Sequence, residues 1–295
     1  RMAYFYGGIN SKHRNSCFAF CIELYIGNNM KIEQNYNLST LNTFGINANA
    51  KLFAEIKSEE ELKEFFTTPE FKENKKFFLG GGSNILFTKD FDGIVVKISL
   101  LGKKILREDD KEILLEVSAG ENWHDLVTYS VNNNWGGIEN LAYIPGTVGA
   151  APVQNIAAYG ENFSEVFISL NAFNIETGNI EEFNKEKCEF GYRSSIFKTK
   201  LRGKYIILKV RIQLSKNPAI QDSYYQMGIT RDSIKEEMQK LSPPPYTIKN
   251  VYEAVVSIRK RKLPDPAKIP TVGSFFLNSV VSRKKYEELK KEVTE

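Results

Sequence analysis

Apolar positions along the chain switch between a helical period and a strand period. Val251, Ala254, Val255 and Ile258 stand three or four residues apart, so 247–262 is expected to form a helix with one buried stripe. Thr247 is placed to cap its start, and Arg259, Lys260, Arg261 and Lys262 suit the negative end of its dipole. Trp123, Leu126, Val127 and Val131 share a face in the same way, which predicts a helix over 121–132 with Trp123 in the core and His124 on the helix surface. Ser58 and Glu61 have capping-box spacing, so a helix starts there, runs to about Thr67 and stops before Pro69. Alternating or β-branched runs predict strands at 51–56, 76–79, 85–88, 93–100, 112–117 and 205–214. Segments 164–175 and 179–183 flank Glu176-Thr177-Gly178 and read as a hairpin. A strand-like segment at 273–278 and a charged amphipathic helix from Ser282 onward complete the pattern.

One stretch fits neither period. Residues 140–160, NLAYIPGTVGAAPVQNIAAYG, are rich in glycine, alanine and proline and hold no acid or base. Pro145-Gly146 and Gly149 are costly inside a helix, and a surface loop would be more polar. Two readings remain: a tightly packed buried loop, or a loop whose backbone runs close to a flat ligand. A second glycine-rich turn at 79–86 and a small turn at 118–120 favour the ligand. Gly80, Gly81, Gly82, Ser83 and Asn84 follow a predicted strand directly, and successive bare N–H groups there can form an anion nest. The alternative is a hairpin turn, although three glycines exceed what a hairpin needs. The spacing matches neither a P-loop nor G-x-G-x-x-G, so a phosphate held here is not held in a Rossmann fold.

Composition narrows the classes. The 295 residues suffice for two domains or one large one, and 42% hydrophobic with 26% charged residues is ordinary for a soluble globular protein. The net charge of +4 is spread along the chain, so no nucleic-acid partner is expected, while a basic face for a phosphorylated small molecule stays open. Two histidines, His13 and His124, argue against a zinc site. Cys17, Cys21 and Cys188 form no disulfide framework and fit a reducing compartment. No apolar run is long enough to span a bilayer, and 18–26, broken by Glu23, is weak as a secretory signal. Residues 1–29 are expected to be non-native or upstream sequence, with Met30 as initiator. Pro264 and Pro266 mark a domain boundary.

Six motifs then occur in order: LGGGSNILF, SAGENWHDLV, IPGTVGAAPVQNIAAYG, FGYRSSIFK, RKLPDP and VGSFF. Together, from Met30 to the C-terminus, they resemble the UDP-N-acetylenolpyruvoylglucosamine reductases, in the form with the longer tyrosine-bearing loop. The resemblance implies an α+β FAD-binding fold of the vanillyl-alcohol-oxidase (PCMH) type, with subdomains at 30–100 and 101–262. An incomplete C-terminal substrate-binding domain would begin at 263–295. It implies NADPH-dependent reduction of UDP-N-acetylglucosamine enolpyruvate to UDP-N-acetylmuramate, by a cytoplasmic monomer without a membrane partner. Matched position by position, Gly80 to Asn84 receive the FAD pyrophosphate, and Ile144, Gly146, Gly149 and Ala150 lie along the flavin. Arg193 matches the arginine that stabilises the developing enolate, a role suited to a two-point guanidinium. Ser274 matches the proton donor to C2, a feasible transfer because an enolate is a strong base. Lys262, Asn278 and one of Tyr224 and Tyr225 match substrate contacts. Taken without the resemblance, Arg193 reads as a surface salt bridge and Ser274 as a cap or strand edge.

The resemblance also implies a third catalytic residue, a glutamate near the family's C-terminus. Glu287, Glu288 and Glu292 belong to an ordinary charged helix and do not match it. The chain as given is therefore expected to bind FAD and to reduce substrate poorly. Another flavin oxidase of the same fold, or a flavin- or UDP-sugar-binding module, are the rival readings.

Overall fold

The computed structural model describes residues 23–26, 30–220, 233–266, 268–273 and 281–293. Two five-stranded sheets organise them. The first contains β1 (Glu23–Ile26), β2 (Met30–Asn37), β3 (Asn49–Ile56), β4 (Lys76–Leu79) and β5 (Phe91–Ile98). Their spatial order is β1-β2-β3-β5-β4. The first two pairings are antiparallel, and β5 runs parallel to both β3 and β4. Parallel neighbours need a crossover, and α1 (Glu59–Thr67) with α2 (Pro69–Glu73) provides the one between β3 and β4.

Local chemistry accounts for the two helices. Ser58 Oγ accepts the Glu61 N–H at 3.0 Å, and the Glu61 carboxylate accepts the Lys57 N–H at 2.6 Å. Helix α1 ends at Thr67, before Pro69, as expected, and a second short helix begins at Pro69 itself. Thr68 caps this second helix by accepting the Phe71 N–H, and Pro69 sits at its first turn, where no N–H is needed.

The second sheet is antiparallel throughout. It contains β6 (Lys103–Glu108), β7 (Glu112–Ser118), β10 (Phe167–Asn174), β11 (Ile180–Asn184) and β12 (Tyr205–Ser215), in the order β11-β10-β12-β7-β6. Between β7 and β10 come α3 (Trp123–Asn132), the two-residue pair β8 (Ala157–Ala158) and β9 (Glu161–Asn162), and α4 (Phe163–Val166). After β12 lie α5 (Ile234–Leu241), α6 (Ile248–Lys262) and α7 (Arg283–Val293). The expected hairpin is β10–β11, and the expected buried stripe of α6 is fully enclosed.

Most of the core is one cluster shared by both sheets and α3, α5 and α6. A smaller cluster of Leu38, Ala48, Ala50, Phe53, Leu79, Phe87 and Val95 covers the opposite face of the first sheet. β5 is therefore apolar on both faces, with Ile94, Val96 and Ile98 on one side and Val95 on the other. The outer face of the second sheet is polar. Arg211 Nε donates to Glu116 at 2.8 Å, and its Nη atoms donate to Glu182 at 2.6 Å and Asn171 at 2.6 Å. Helix α1 meets this sheet through a Lys209–Glu59 ion pair of 2.7 Å and a Phe66–Phe173 edge contact.

One strand expectation is corrected. Residues 85–88 are not a strand: Ile85 and Phe87 pack on the smaller cluster, but no ladder forms. The glycine turn is also not a hairpin, because β4 and β5 run parallel.

Candidate active site

The glycine turn sits at the carboxyl end of β4. Gly82 has φ +64, and a Cβ there would fall 1.9 Å from the Leu41 carbonyl oxygen. Only glycine fits that approach, and the turn is anchored where the Thr43 N–H donates to Gly82 O. A Cβ on Gly81 would come within 3.0 Å of Gly146 Cα, so the two glycine-bearing loops meet backbone to backbone. No protein acceptor is found among the described residues for the N–H groups of Gly81, Gly82, Ser83 and Asn84.

The second loop is laced to α3 and the 118–120 turn. The Trp123 N–H donates to Gly146 O at 3.0 Å, the Val148 N–H to Glu121 O at 2.9 Å, and the Gly149 N–H to Ala119 O at 2.8 Å. Trp123 is buried as expected, and its indole Nε1–H donates to Leu141 O at 2.9 Å.

Between these loops runs a groove of two adjoining cavities. The inner one, about 270 Å³, is walled by Gly80 to Asn84, Ile144, Gly146, Thr147 and Ala150. The outer one, about 510 Å³, holds His124, Tyr143, Arg193, Arg259 and Val272. Ser83, Asn84, Ile144, Gln154 and Lys198 line both. Asn84 Nδ2 donates to Gln154 Oε1 at 3.1 Å, joining the two loops across the groove.

Arg193 is carried on a tight turn closed by reciprocal Gly191–Ser194 backbone bonds, and its φ is +52. Three contacts fix this turn. Ser195 Oγ donates to Val153 O at 2.7 Å, Asn155 Nδ2 donates to Gly191 O at 3.2 Å, and Lys198 Nζ donates to Arg193 O at 2.9 Å. Arg259 enters from α6, its Nε donating to Tyr143 O at 3.2 Å. Burial pushes its guanidinium below the ordinary value, and Arg193 adds to that.

His124 lies on the surface of α3 as expected, half-buried on the side that faces the groove. It lines the outer cavity, stacks on Tyr252 with ring centroids 5.8 Å apart, and accepts the Tyr143 N–H at Nδ1. Burial lowers its pKa; Asp125 opposes this, and Lys260 and Arg259 reinforce it. The imidazole is thus held neutral, with Nε2 as its remaining donor.

The structure brings Gly80, Gly81, Gly82, Ser83, Asn84, Ile144, Gly146, Ala150 and Arg193 together around the groove. Gly149 is not part of its wall. A Cβ there would lie 2.6 Å from Ala119 Cβ, so this glycine serves packing. Lys262 is exposed at the end of α6 and lines neither cavity. Ser274, Asn278, Tyr224 and Tyr225 lie outside the described residues. Sequence reasoning missed Arg259, Lys198 and Gln154. The spacing held a signal for Arg259, which follows Val251 and Val255 at intervals of four and so shares their face.

A family model for an FAD binding domain matches residues 50–184, from β3 to the end of β11. The chain is 48% identical over 256 residues to the UDP-N-acetylenolpyruvoylglucosamine reductase of Amoebophilus asiaticus, covering 87% of this chain and 74% of the relative. The chain belongs to the UDP-N-acetylenolpyruvoylglucosamine reductase family. The Flavobacterium johnsoniae reductase is 45% identical over 267 residues, covering 90% of this chain and 77% of the relative. A crystal structure of the Thermus caldophilus reductase shares the fold at 22% identity, with TM-score 0.60 over 88% of this chain and 80% of that one. The fold is thus the α+β FAD-binding fold that the motifs implied.

The groove fits the FAD of a UDP-N-acetylenolpyruvoylglucosamine reductase. Unpaired N–H groups at 81–84 suit a diphosphate, and a Cβ at Gly81 or Gly146 would obstruct the cradle. Among the described residues no group of three or more His, Cys, Asp or Glu side chains could hold a metal, and no helix is long and apolar enough to cross a membrane.

Proposed function

We propose that this reductase uses NADPH and FAD to reduce UDP-N-acetylglucosamine enolpyruvate to UDP-N-acetylmuramate, in the cytoplasm, as a monomer, for peptidoglycan synthesis. The observation that carries the reading is Arg193, held on a fixed turn beside a glycine-lined groove. Bound FAD supplies the centre that accepts a hydride and passes it on. The N–H groups of Gly80, Gly81, Gly82, Ser83 and Asn84 hold its diphosphate. Ile144, Gly146 and Ala150 bring backbone close to its ring, and Gly149 keeps that loop seated on Ala119. Subdomains at 30–100 and 101–262 each contribute one wall, and a substrate-binding domain begins near 263.

Arg193 faces the substrate carboxylate. Hydride addition at C3 of the enolpyruvyl ether drives negative charge onto that carboxylate as an enolate. A guanidinium placed beforehand stabilises this charge more than the ground state, which lowers the barrier. Ser274 then donates its hydroxyl proton to C2. Lys262, Asn278 and one of Tyr224 and Tyr225 orient the UDP-sugar.

Anaerobic mixing tests the reading. NADPH should bleach the visible absorbance of the FAD-loaded protein, and the enolpyruvyl UDP-sugar should restore it. A flavin oxidase of the same fold would bleach with other donors. A binding module would show no turnover, and either result would overturn the proposal.

A further inference from the structure

Among the described residues, three cations line the groove, Arg193, Lys198 and Arg259, against one carboxylate, the exposed Asp125. Elsewhere in the fold, the part-buried Arg211 pairs with Glu116, and even the exposed Arg261 pairs with Glu237. Among the described residues, no carboxylate reaches Arg259. Its guanidinium bonds uncharged groups instead, the Tyr143 carbonyl and the Tyr159 side chain. These two tyrosines flank the loop 144–158, and both have positive φ, +59 and +48. Non-glycine residues keep that conformation only when their surroundings hold them there. One α6 side chain thus pins both ends of the loop, and it also lines the outer cavity.

We propose that Arg259 is a positioning residue that clamps the 144–158 loop against bound flavin and supplies the positive field that stabilises the cofactor in its reduced form. The inference rests on the function proposed above. A hydride arriving at a neutral ring brings two electrons and one proton and leaves one extra negative charge, while the nicotinamide that gives it is oxidised. A partly desolvated guanidinium without a carboxylate beside it acts on that charge with little cancellation.

Substitution separates the clamp from the charge. Arg259→Lys keeps the charge and loses the two-ended grip. Tyr159→Phe loses one grip and no charge. Arg259→Met loses both. Thermal unfolding confirms that each variant folds, fluorescence titration gives FAD affinity, and anaerobic equilibration with a reference dye gives the midpoint potential. Arg259→Met should lower the reduction equilibrium constant at least tenfold, a fall of about 30 mV for a two-electron couple. Arg259→Lys and Tyr159→Phe should keep the potential and bind FAD about tenfold more weakly, the worth of one good hydrogen bond. A merely structural arginine would leave the potential unmoved. An Arg259→Met protein with wild-type potential overturns the charge, and Arg259→Lys with wild-type FAD affinity overturns the clamp. If Arg259→Met fails to fold, Arg259→Gln at saturating FAD gives the same readout. Dye reduction needs no NADPH, so a wild-type protein that NADPH cannot reduce refutes the proposed function and leaves this inference standing.

Discussion

Arg193 occupies a backbone conformation that its neighbours enforce, and the enforcement is what makes its side chain useful. With φ at +52 and the turn tied down by Ser195, Asn155 and Lys198, the guanidinium is oriented before substrate arrives. Arg193→Met should lower the rate of flavin reoxidation by the enolpyruvyl substrate by roughly 10²–10³-fold. FAD affinity should stay within threefold of about its starting value, because no step of cofactor binding is assigned to this residue. Stopped-flow single turnover checks the first part and fluorescence titration the second. A different residue carries a pH signature. Burial first, then Glu165 and Glu139, push the Glu161 carboxyl up to about 7 from its ordinary 4.5. In that window the folded state keeps a proton that the unfolded chain has released, so stability falls as pH rises through it and levels off above. Urea unfolding at about pH 5 and about pH 8 should show this loss in the wild type and its absence in Glu161→Gln. An identical loss in the variant would refute the assignment.

At the level of elements, helices α5 and α6 are joined by one embedded carboxylate. Glu237 accepts from Ser257 at 2.6 Å and from Arg261 at 3.1 Å, and these bonds hold its pKa below the ordinary range. Arg261→Met leaves Glu237 short of a partner and should cost about 1–3 kcal/mol in chemical denaturation. Helices α3 and α6 were legible in the sequence because their apolar residues repeat at the helical period and end in caps. Strand β6 was not: all six residues are exposed, so the edge strand lacks the alternation that burial imposes. Residues 85–88 misled in the opposite way. Their alternation is real, with Phe87 buried and Leu86 exposed, but it reflects packing without a ladder. The glycine loops were legible as close-approach segments, yet Gly149 looked the same as Gly146 on paper. Only the position of Ala119 separates them. Arg259 escaped notice because a basic helix end already has an adequate explanation in the dipole.

Across the whole molecule, the groove belongs to neither sheet alone. One wall follows β4 of the first sheet, and the other is laced to α3 and the turn after β7 of the second. Ligand binding at such a seam should stabilise both halves together. At a hundredfold excess over its dissociation constant, FAD should raise the unfolding free energy by about 2.7 kcal/mol, in a single transition. Differential scanning calorimetry with and without FAD checks this, and two separated transitions would contradict it.

The bond between Asn84 and Gln154 spans 70 positions of the chain. Closing so long a circuit costs entropy that local helices and hairpins do not pay, and the parallel β4–β5 crossover must already be in place. Refolding from denaturant should therefore regain far-ultraviolet ellipticity first and the quenching of flavin fluorescence afterwards. A nascent chain would acquire its colour only once nearly everything else about its shape was settled.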